Sequence, residues 1–293
     1  MQKILFLFSF LFALNLLAQQ DLKWLKIKKY KVATLSDSLK ETSGLTFFRD
    51  KLYTINDGGN TSEIFEIDKK SGKILNKIKT EFKNFDWESI TSDSANIFIG
   101  DTGNNWGIRK DLKIYKITLD SVVSAPSANN ALNFQYPEQT TFQKLPQSND
   151  WDSESLIFVN GKLHLVTKEW KSMKTAHYEL PTEVSERILP AKKTEEFDLN
   201  FLATDAAYFQ NKLYIIGYTK KMEVYLSVFA EQNGLFFNKK PQKYYLGSTS
   251  SIGQVEGIAV NADGIFISAE AFNLKIFQAK QALYFIPWKG FGK

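Results

Sequence analysis

The sequence predicts an all-β fold, a β-propeller of four-stranded blades, from three observations. The chain contains five copies of one segment pattern, and it shows no helical periodicity after its first residues. A strand-like segment near the amino terminus also has no partner beside it in the sequence. A closed ring of blades accounts for all three, because an amino-terminal strand can complete the last blade.

Each copy begins with a polar or acidic anchor residue, followed by a short apolar run, a turn and a second apolar run. The second run begins nine positions after the anchor in four copies and eight positions after it in the copy that starts at Asp205. This spacing is typical of a β-hairpin. The five anchors are Ser43, Glu88, Glu154, Asp205 and Glu256. The predicted turns contain Arg49-Asp50, Ser92-Asp93, Asn160-Gly161, Gln210-Asn211 and Ala262-Asp263-Gly264.

Two more strands complete each of the first four copies. The predicted third strands are "SEIFEID", "LKIYKIT", "KTAHYEL", "MEVYLSV" and "QALYFIP", and the fourth strands are "GKILNKIKT", "ALNFQYP", "EEFDL" and "QKYYLG". The fifth copy ends after its third strand. We therefore expect Trp24 to Ala33 to pair with the strand near Ala282 to Pro287 and close the ring.

The anchors lie 45, 66, 51 and 51 residues apart, close to the length of a four-stranded propeller repeat. The long interval contains "SVVSAPSANN" and "TTFQKLPQSN", which we interpret as loop insertions because no second anchor and hairpin accompany them. The count is five blades, and six is the alternative if one degenerate blade is hidden.

The first residues predict a signal peptide. Lys3 precedes an apolar run from Ile4 to Leu17, and the small residue Ala18 follows. The predicted organisation is a signal peptide at 1–18 and a single propeller domain at 19–293, with an uncleaved amino-terminal anchor as the alternative. We expect an exported protein, periplasmic or secreted, that is a monomer with no transmembrane span in the mature chain.

Composition excludes several functional classes. The chain has no cysteine, so neither a disulfide framework nor a lipid-modified cysteine is available. Its net charge of +5 is spread over many lysines without a dense basic block, so nucleic acid is not an expected partner. The G-x-S-x-G, Walker and H-E-x-x-H motifs are also missing, which argues against serine hydrolases, nucleotide-binding proteins and zincins.

Acidic residues are expected to gather at one mouth of the channel. In a propeller blade the first strand lines the channel and the second runs antiparallel to it, so the start of one lies beside the end of the other. The expected pairs are Ser43 with Asp57, Glu88 with Asp101, Glu154 with Lys168, Asp205 with Tyr218, and Glu256 with Glu270. Asp86 and Asp152 repeat a D-x-E pattern just outside this mouth.

Like charges so close together cannot all stay ionised unless something offsets them. A hard divalent cation would do so, and oxygen ligands favour calcium over zinc in a chain with no cysteine and only His164 and His177. We predict a calcium site among Asp57, Glu88, Asp101, Glu154, Asp205 and Glu256. The predicted ligand-binding residues are Asn104, Arg109, Lys168 and Glu270. The alternative is that the anchors cap backbone N–H groups between blades. His164 is expected to be a hydrogen-bonded structural residue.

Three segments carry a resemblance to a known family: "ETSGL…INDGG", "DWESI…GDTGNN…R…IYKI" and "DSESL". They resemble the secreted propellers near the esterase-like domain of phytases and the regulated bacterial propellers of that superfamily. More distantly, they resemble gluconolactonase and strictosidine-synthase-like propellers. The resemblance implies a channel mouth that binds a divalent cation, often calcium, and in the enzymatic branches hydrolyses lactones or esters. Glu88, Asp101, Asn104 and Arg109 match its motif, whereas the anchor Ser43 departs from it.

Two functional classes follow. The preferred one is an extracytoplasmic binding or interaction module whose acidic mouth takes a small polar molecule or a protein partner. The alternative is a metal-dependent hydrolase of lactones, esters or phosphoesters, in which the cation polarises a substrate oxygen and a mouth carboxylate acts as general base. No sequence feature identifies that base, so no catalytic residue is assigned.

Overall fold

The computed structural model describes residues 22–119, 130–274 and 277–291, and these form a five-bladed propeller as the sequence predicts. The predicted signal peptide at 1–18 and nearly all of the "SVVSAPSANN" segment lie outside the described residues. Two short strands precede the blades, β1 (Lys23–Trp24) and β2 (Lys31–Thr34).

The first three blades follow in chain order. Blade 1 contains β3 (Thr42–Phe48), β4 (Lys51–Asn56), β5 (Glu63–Ile67) and β6 (Ile74–Lys79). Blade 2 contains β7 (Trp87–Ser92), β8 (Asn96–Asp101), β9 (Lys113–Thr118) and β10 (Ala131–Gln135). Blade 3 contains β11 (Asp152–Val159), β12 (Lys162–Lys168), β13 (Thr175–Leu180) and β15 (Lys192–Phe197); β14 (Ser185–Pro190) precedes β15 in the chain.

The last two blades complete the ring. Blade 4 contains β16 (Leu202–Phe209), β17 (Lys212–Tyr218), β18 (Glu223–Ala230) and β19 (Gln242–Ser248), and the short helix α1 (Thr249–Ile252) follows it. Blade 5 contains β20 (Gln254–Val260), β21 (Gly264–Glu270), β24 (Ala282–Pro287) and β2. A small hairpin, β22 (Phe272–Leu274) and β23 (Phe277–Ala279), leaves blade 5, and α2 (Trp288–Phe291) follows β24.

The amino-terminal segment closes the ring, but in a shorter form than predicted. β2 pairs antiparallel with β24, which confirms the closure. The expected single strand from Trp24 to Ala33 is wrong in extent, because β1 pairs parallel with β19 in blade 4 and a 3-10 turn separates β1 from β2. The turn forms where Ile27, fully buried, packs into the core between blades 4 and 5.

Five hydrophobic clusters, one between each pair of neighbouring blades, form the core. The cluster between blades 5 and 1, which includes Leu45 and Phe266, shows that the ring is closed. Alternating strand residues supply these side chains, since a strand buries every second residue against each neighbour. Among the described residues no helix is long and apolar enough to cross a membrane.

The hairpin turns follow the sequence prediction. Three of them place both central residues in the left-handed region, with φ of 49° and 64° at Arg49 and Asp50, and similar values at Asn160-Gly161 and Gln210-Asn211. Two-residue turns of this kind match the twist of the paired strands. In blade 2 the Asp93 carboxylate accepts the N–H groups of Ala95 and Asn96 instead.

All five inner strands carry a β-bulge near the mouth, which the sequence did not predict. The bulged residues are Gly44, Glu88, Glu154, Thr204 and Glu256. The alignment of the anchors is therefore wrong by one residue in two blades, because Ser43 and Asp205 flank the bulge instead of occupying it. This offset explains the shorter spacing in blade 4, since Leu213 lies nine positions after Thr204.

Two blades have a fifth strand that the sequence analysis missed. β14 pairs parallel with β10 and covers the outer edge of blade 2, and β1 does the same for blade 4. Covering an edge in this way removes a row of unpaired backbone groups.

Candidate functional site

The bulged glutamates meet at the channel mouth. A bulge changes the direction of a side chain relative to the regular strand, and Glu88, Glu154 and Glu256 are each no more than 5% exposed. Burial is the main cause of the raised pKa values of Glu88 and Glu154, and their carboxylates lie close enough to others that Glu154 adds to the shift of Glu88 and Glu256 to that of Glu154. The predicted convergence of acids from different blades is therefore present.

Three carboxylates form a tighter group on the side of blades 1 and 2. One oxygen from each of Asp57, Asp86 and Glu88 lies within 4.8 Å of the others, and we call these three residues the acidic triad. No donor from the described part of the chain reaches the Glu88 carboxylate, although the residue is only 5% exposed. Asp57 accepts a hydrogen bond from the N–H of Gly58.

Two glycines let the backbone approach the triad closely. A Cβ atom at Gly103 would lie 2.4 Å from Cγ of Asp86 and 2.7 Å from Oε1 of Glu88. A Cβ atom at Gly58 would lie 2.5 Å from Oδ1 of Asp86. The glycines in "INDGG" and "GDTGNN" are therefore needed for the space that the carboxylates occupy, because real side chains do not tolerate such distances.

Burial and mutual repulsion raise the pKa values of the triad. Burial, followed by Asp57 and Asp152, raises the pKa of Asp86 to about 7. Burial, Asp57 and Glu154 hold the pKa of Glu88 well above its usual range, and burial also raises the pKa of Asp57. Burial and the neighbouring carboxylates therefore disfavour the ionised form of all three groups, and a bound cation would offset both effects.

A buried ion pair occupies the opposite side of the mouth. The Lys168 ammonium lies 2.5 Å from both carboxylate oxygens of Glu154 and donates to the Tyr218 hydroxyl at 3.3 Å. It also lies 4.8 Å from the ring centroid of Trp170. Burial lowers the pKa of Lys168, but Glu154, Tyr218, Glu256 and Asp152 together outweigh it, so the net shift is upward. The Glu154 carboxylate is thus engaged by a cation of the chain itself.

Glu256 and Glu270 share one donor. The Gln254 side-chain amide donates to Glu256 at 2.6 Å and reaches Glu270 at 3.4 Å. Burial, then Glu256 and Asp57, hold the pKa of Glu270 well above its usual range. Both glutamates therefore belong to the mouth, as predicted, but lie outside the acidic triad.

Asp205 fits the capping alternative. Its Oδ2 accepts the N–H groups of Ile258 at 2.7 Å and Leu45 at 3.3 Å, and its Oδ1 accepts that of Ala206 at 2.8 Å. These bonds join blade 4 to blades 5 and 1, and Asp205 is fully buried. A carboxylate with three backbone donors stabilises the ring, and its bulge-flanking position is the reason that it takes this role.

The motif residues Asp101, Asn104 and Arg109 form a scaffold beneath the triad. Arg109 lies 2.8 Å from Asp101, whose other contacts include the N–H of Asp86 at 3.1 Å. Asn104 accepts the N–H of Arg109 at 3.0 Å and donates its own N–H to Asp152. Asp101 is fully buried, so this scaffold fixes the backbone of Asp86 rather than offering ligands.

Asp86 is the triad member that the predicted metal ligands omitted. The only indication in the sequence was the D-x-E pattern it shares with Asp152. The two aspartates differ in the structure, because Asp152 accepts hydrogen bonds from the Asn104 N–H and the Trp170 indole. His164 is hydrogen-bonded to His177, 2.7 Å between ring nitrogens, which confirms the structural role expected for it.

Comparison with known proteins identifies the fold but no family. No protein-family model matches the chain, and no curated protein matches it. A hypothetical protein from Leishmania major is similar in structure, with a TM-score of 0.50, 12% identity, and coverage of 90% of this chain and 92% of that one. The RRP9 WD40 repeats have a TM-score of 0.40 and 9% identity. The similarity covers 83% of this chain and 78% of the RRP9 chain. A chain of the mitotic checkpoint complex has a TM-score of 0.40 and 9% identity. That similarity covers 82% of this chain and 62% of the checkpoint chain.

The residues of the triad fit a hard cation. All three side chains offer carboxylate oxygens, and carboxylates are ligands that calcium prefers. Lys168 and Arg109 are paired with Glu154 and Asp101; burial still raises the pKa values of Asp57 and Asp86, although Lys168 and Arg109 each act to lower one of them. The predicted resemblance to phytase-related propellers stays a prediction, because the structural similarities concern the fold alone.

Proposed function

We propose that this propeller is an extracytoplasmic binding module that holds a calcium ion between Asp57, Asp86 and Glu88. The observation that carries the proposal is the Glu88 carboxylate, which is buried, lacks a donor among the described residues and faces two more carboxylates. Burying a charge is costly unless it is paired, and a divalent cation pairs all three groups at once.

The experiment is a calorimetric titration of calcium into chelator-treated protein. We expect saturable binding to one site, with Kd in the range of roughly 0.1–1 mM that is usual for extracellular modules. Asp86→Asn should weaken calcium binding at least tenfold, because it removes one of the three charged ligands.

The matched control is Glu183→Gln, which removes an exposed carboxylate from the connection between β13 and β14. It should bind calcium like the unmodified chain. No binding by the unmodified chain, or equal binding by Asp86→Asn, would show that the triad is not a calcium site.

Export of the protein is supported by the apolar amino-terminal segment with its single lysine. The partner would be a small polar molecule or a protein group that reaches the mouth and completes the coordination of the cation. Fractionation of the native host, followed by amino-terminal sequencing, tests the export. Recovery in the cytoplasmic fraction of a protein that still carries its first residues, including Lys3, would contradict export.

Metal-dependent hydrolysis is a second candidate function, favoured by one observation. The triad can supply one oxygen from each of three carboxylates, whereas calcium takes six to eight ligands, so positions stay open for water and a substrate oxygen. The test is calcium-dependent turnover of a lactone, p-nitrophenyl acetate and p-nitrophenyl phosphate, with Asp86→Asn as the control. Rates equal to those of the uncatalysed reactions would exclude hydrolysis of these substrates and favour the binding module.

A further inference from the structure

A second concave site lies at the junction of blades 5 and 1, on the side of the ring opposite the acidic mouth. Its volume is about 560 Å³, within the range usual for small-molecule sites. The lining residues come from the second, third and fourth strands of blade 5 and from two turns on this side of the ring. They are Val32, Lys69, Lys70, Asp263, Phe266 and Phe285.

One partly exposed aromatic ring, Phe285, lines this cleft, and buried rings support it from behind. Phe266 and Phe285 stack with ring centroids 4.4 Å apart, and Phe47 packs edge-on against Phe266 at 5.4 Å. The row of rings thus extends from the inner strand of blade 1 to the third strand of blade 5. A partly exposed ring of this kind suits a planar aromatic group, because aromatic pairs gain energy beyond the area that they bury.

Charged side chains stand at the opening. The Lys69 ammonium lies 3.5 Å from the Asp263 carboxylate, so this pair spans the two blades above the rings. The two lysines and one aspartate leave one positive charge at the cleft. An anionic group on the ligand would complement that charge.

The closing strand also contributes a side chain by means of a bulge. In the pairing of β2 with β24, the register shifts between Lys31 and Ala33, which leaves Val32 as the extra residue. Bulges are common where a side chain must be redirected, and this one adds an apolar wall beside Phe285.

We propose that this cleft binds a small planar aromatic acid, with its ring against Phe285 and Val32 and its carboxylate beside Lys69 and Lys70. The site is separate from the acidic triad and needs no metal. Its occupant reaches it from the face opposite the channel mouth, so the two sites can be filled together.

The test is a calorimetric titration with 2-naphthoate and with its neutral analogue 2-naphthamide. We expect one-site binding of 2-naphthoate that is roughly threefold to fivefold tighter than that of the amide, which is the effect of a partly exposed ion pair. The double variant Lys69→Met, Lys70→Met should abolish this difference. Phe285→Leu should weaken both ligands, since it removes the partly exposed ring of the cleft.

Two control variants test whether 2-naphthoate binds in this cleft and not elsewhere on the protein. Lys113→Met removes a lysine at the start of β9, near the other mouth, and should leave both affinities unchanged. Glu88→Gln should also leave them unchanged, because the triad lies at the other end of the channel. Equal affinities for acid and amide, or loss of binding in Glu88→Gln, would overturn the proposal.

Discussion

Replacing Glu88 by glutamine should remove most of the stabilisation by calcium without weakening the metal-free protein. The triad oxygens lie within 4.8 Å of one another, where two ionised groups repel by about 3.5 kcal/mol at an effective dielectric constant of 20. Glutamine keeps the shape of the side chain, removes that repulsion and supplies an amide that can donate to Asp57 or Asp86. The melting temperature in chelator should therefore stay unchanged or rise.

Calcium should act only on the unmodified site. A ligand at one hundred times its Kd stabilises the folded state by about 2.7 kcal/mol. For a chain of this size, that is an increase of roughly 5–10 °C in melting temperature. We expect this increase for the unmodified protein and for the exposed control Glu183→Gln, and less than a third of it for Glu88→Gln.

The assay is differential scanning calorimetry of the three proteins in chelator and in excess calcium. The decisive quantity is the calcium-dependent shift of each protein, not its absolute melting temperature. If Glu88→Gln lowered the melting temperature equally in both buffers, Glu88 would be a structural cap and the reasoning would be refuted.

Three more predictions test the ring and the titration of the mouth. Asp205→Ala should destabilise the protein by about 1–3 kcal/mol equally with chelator and calcium in thermal melts, because it leaves three backbone donors unpaired; a calcium-dependent difference would contradict the capping role. A chain that begins at Leu35 should have a free energy of unfolding, measured with denaturant, that is lower by at least about 3 kcal/mol, because it lacks the closing strand and the buried residues Leu25 and Ile27. Unchanged stability would exclude ring closure by this segment. The folded pKa of Asp86 is raised to about 7, so the stability that Asp86 contributes is complete below pH 3.8, its usual pKa, and is lost as pH rises through 7. In chelator, Asp86→Asn should flatten the resulting fall in melting temperature with pH. An unaltered slope would contradict the raised pKa.

Much of the fold could be predicted because propeller blades are specified by local patterns. Alternating apolar residues mark strands, and turns such as Asn160-Gly161 contain residues that adopt positive φ readily, so each hairpin is visible in a short window. The repeat then supplies the blade count, and the unpaired first segment supplies the closure. The edge strands β1 and β14 were missed because they pair in parallel with strands far away in the sequence.

The candidate site was predictable only in outline. Its location at the mouth followed from strand direction, and Asp57 and Glu88 were among the predicted ligands. The sequence could not distinguish the roles of its acids, since Glu154 and Asp101 differ from Glu88 by having cationic partners. Those partners are 14 and 8 residues away in the chain, and nothing in their spacing specifies an ion pair.

The sequence by itself therefore determined the strands, the turns, the repeat and the acidity of one mouth. Only the tertiary structure decided which acids share a site, because a β-bulge redirects a side chain, and the one-residue change in spacing in blade 4 does not by itself reveal the bulge. The bulge turns Asp205 toward the amides of neighbouring blades, whereas the close approach of Gly58 and Gly103 places Asp86 beside Glu88. Both outcomes depend on distances between segments that meet only when the ring closes.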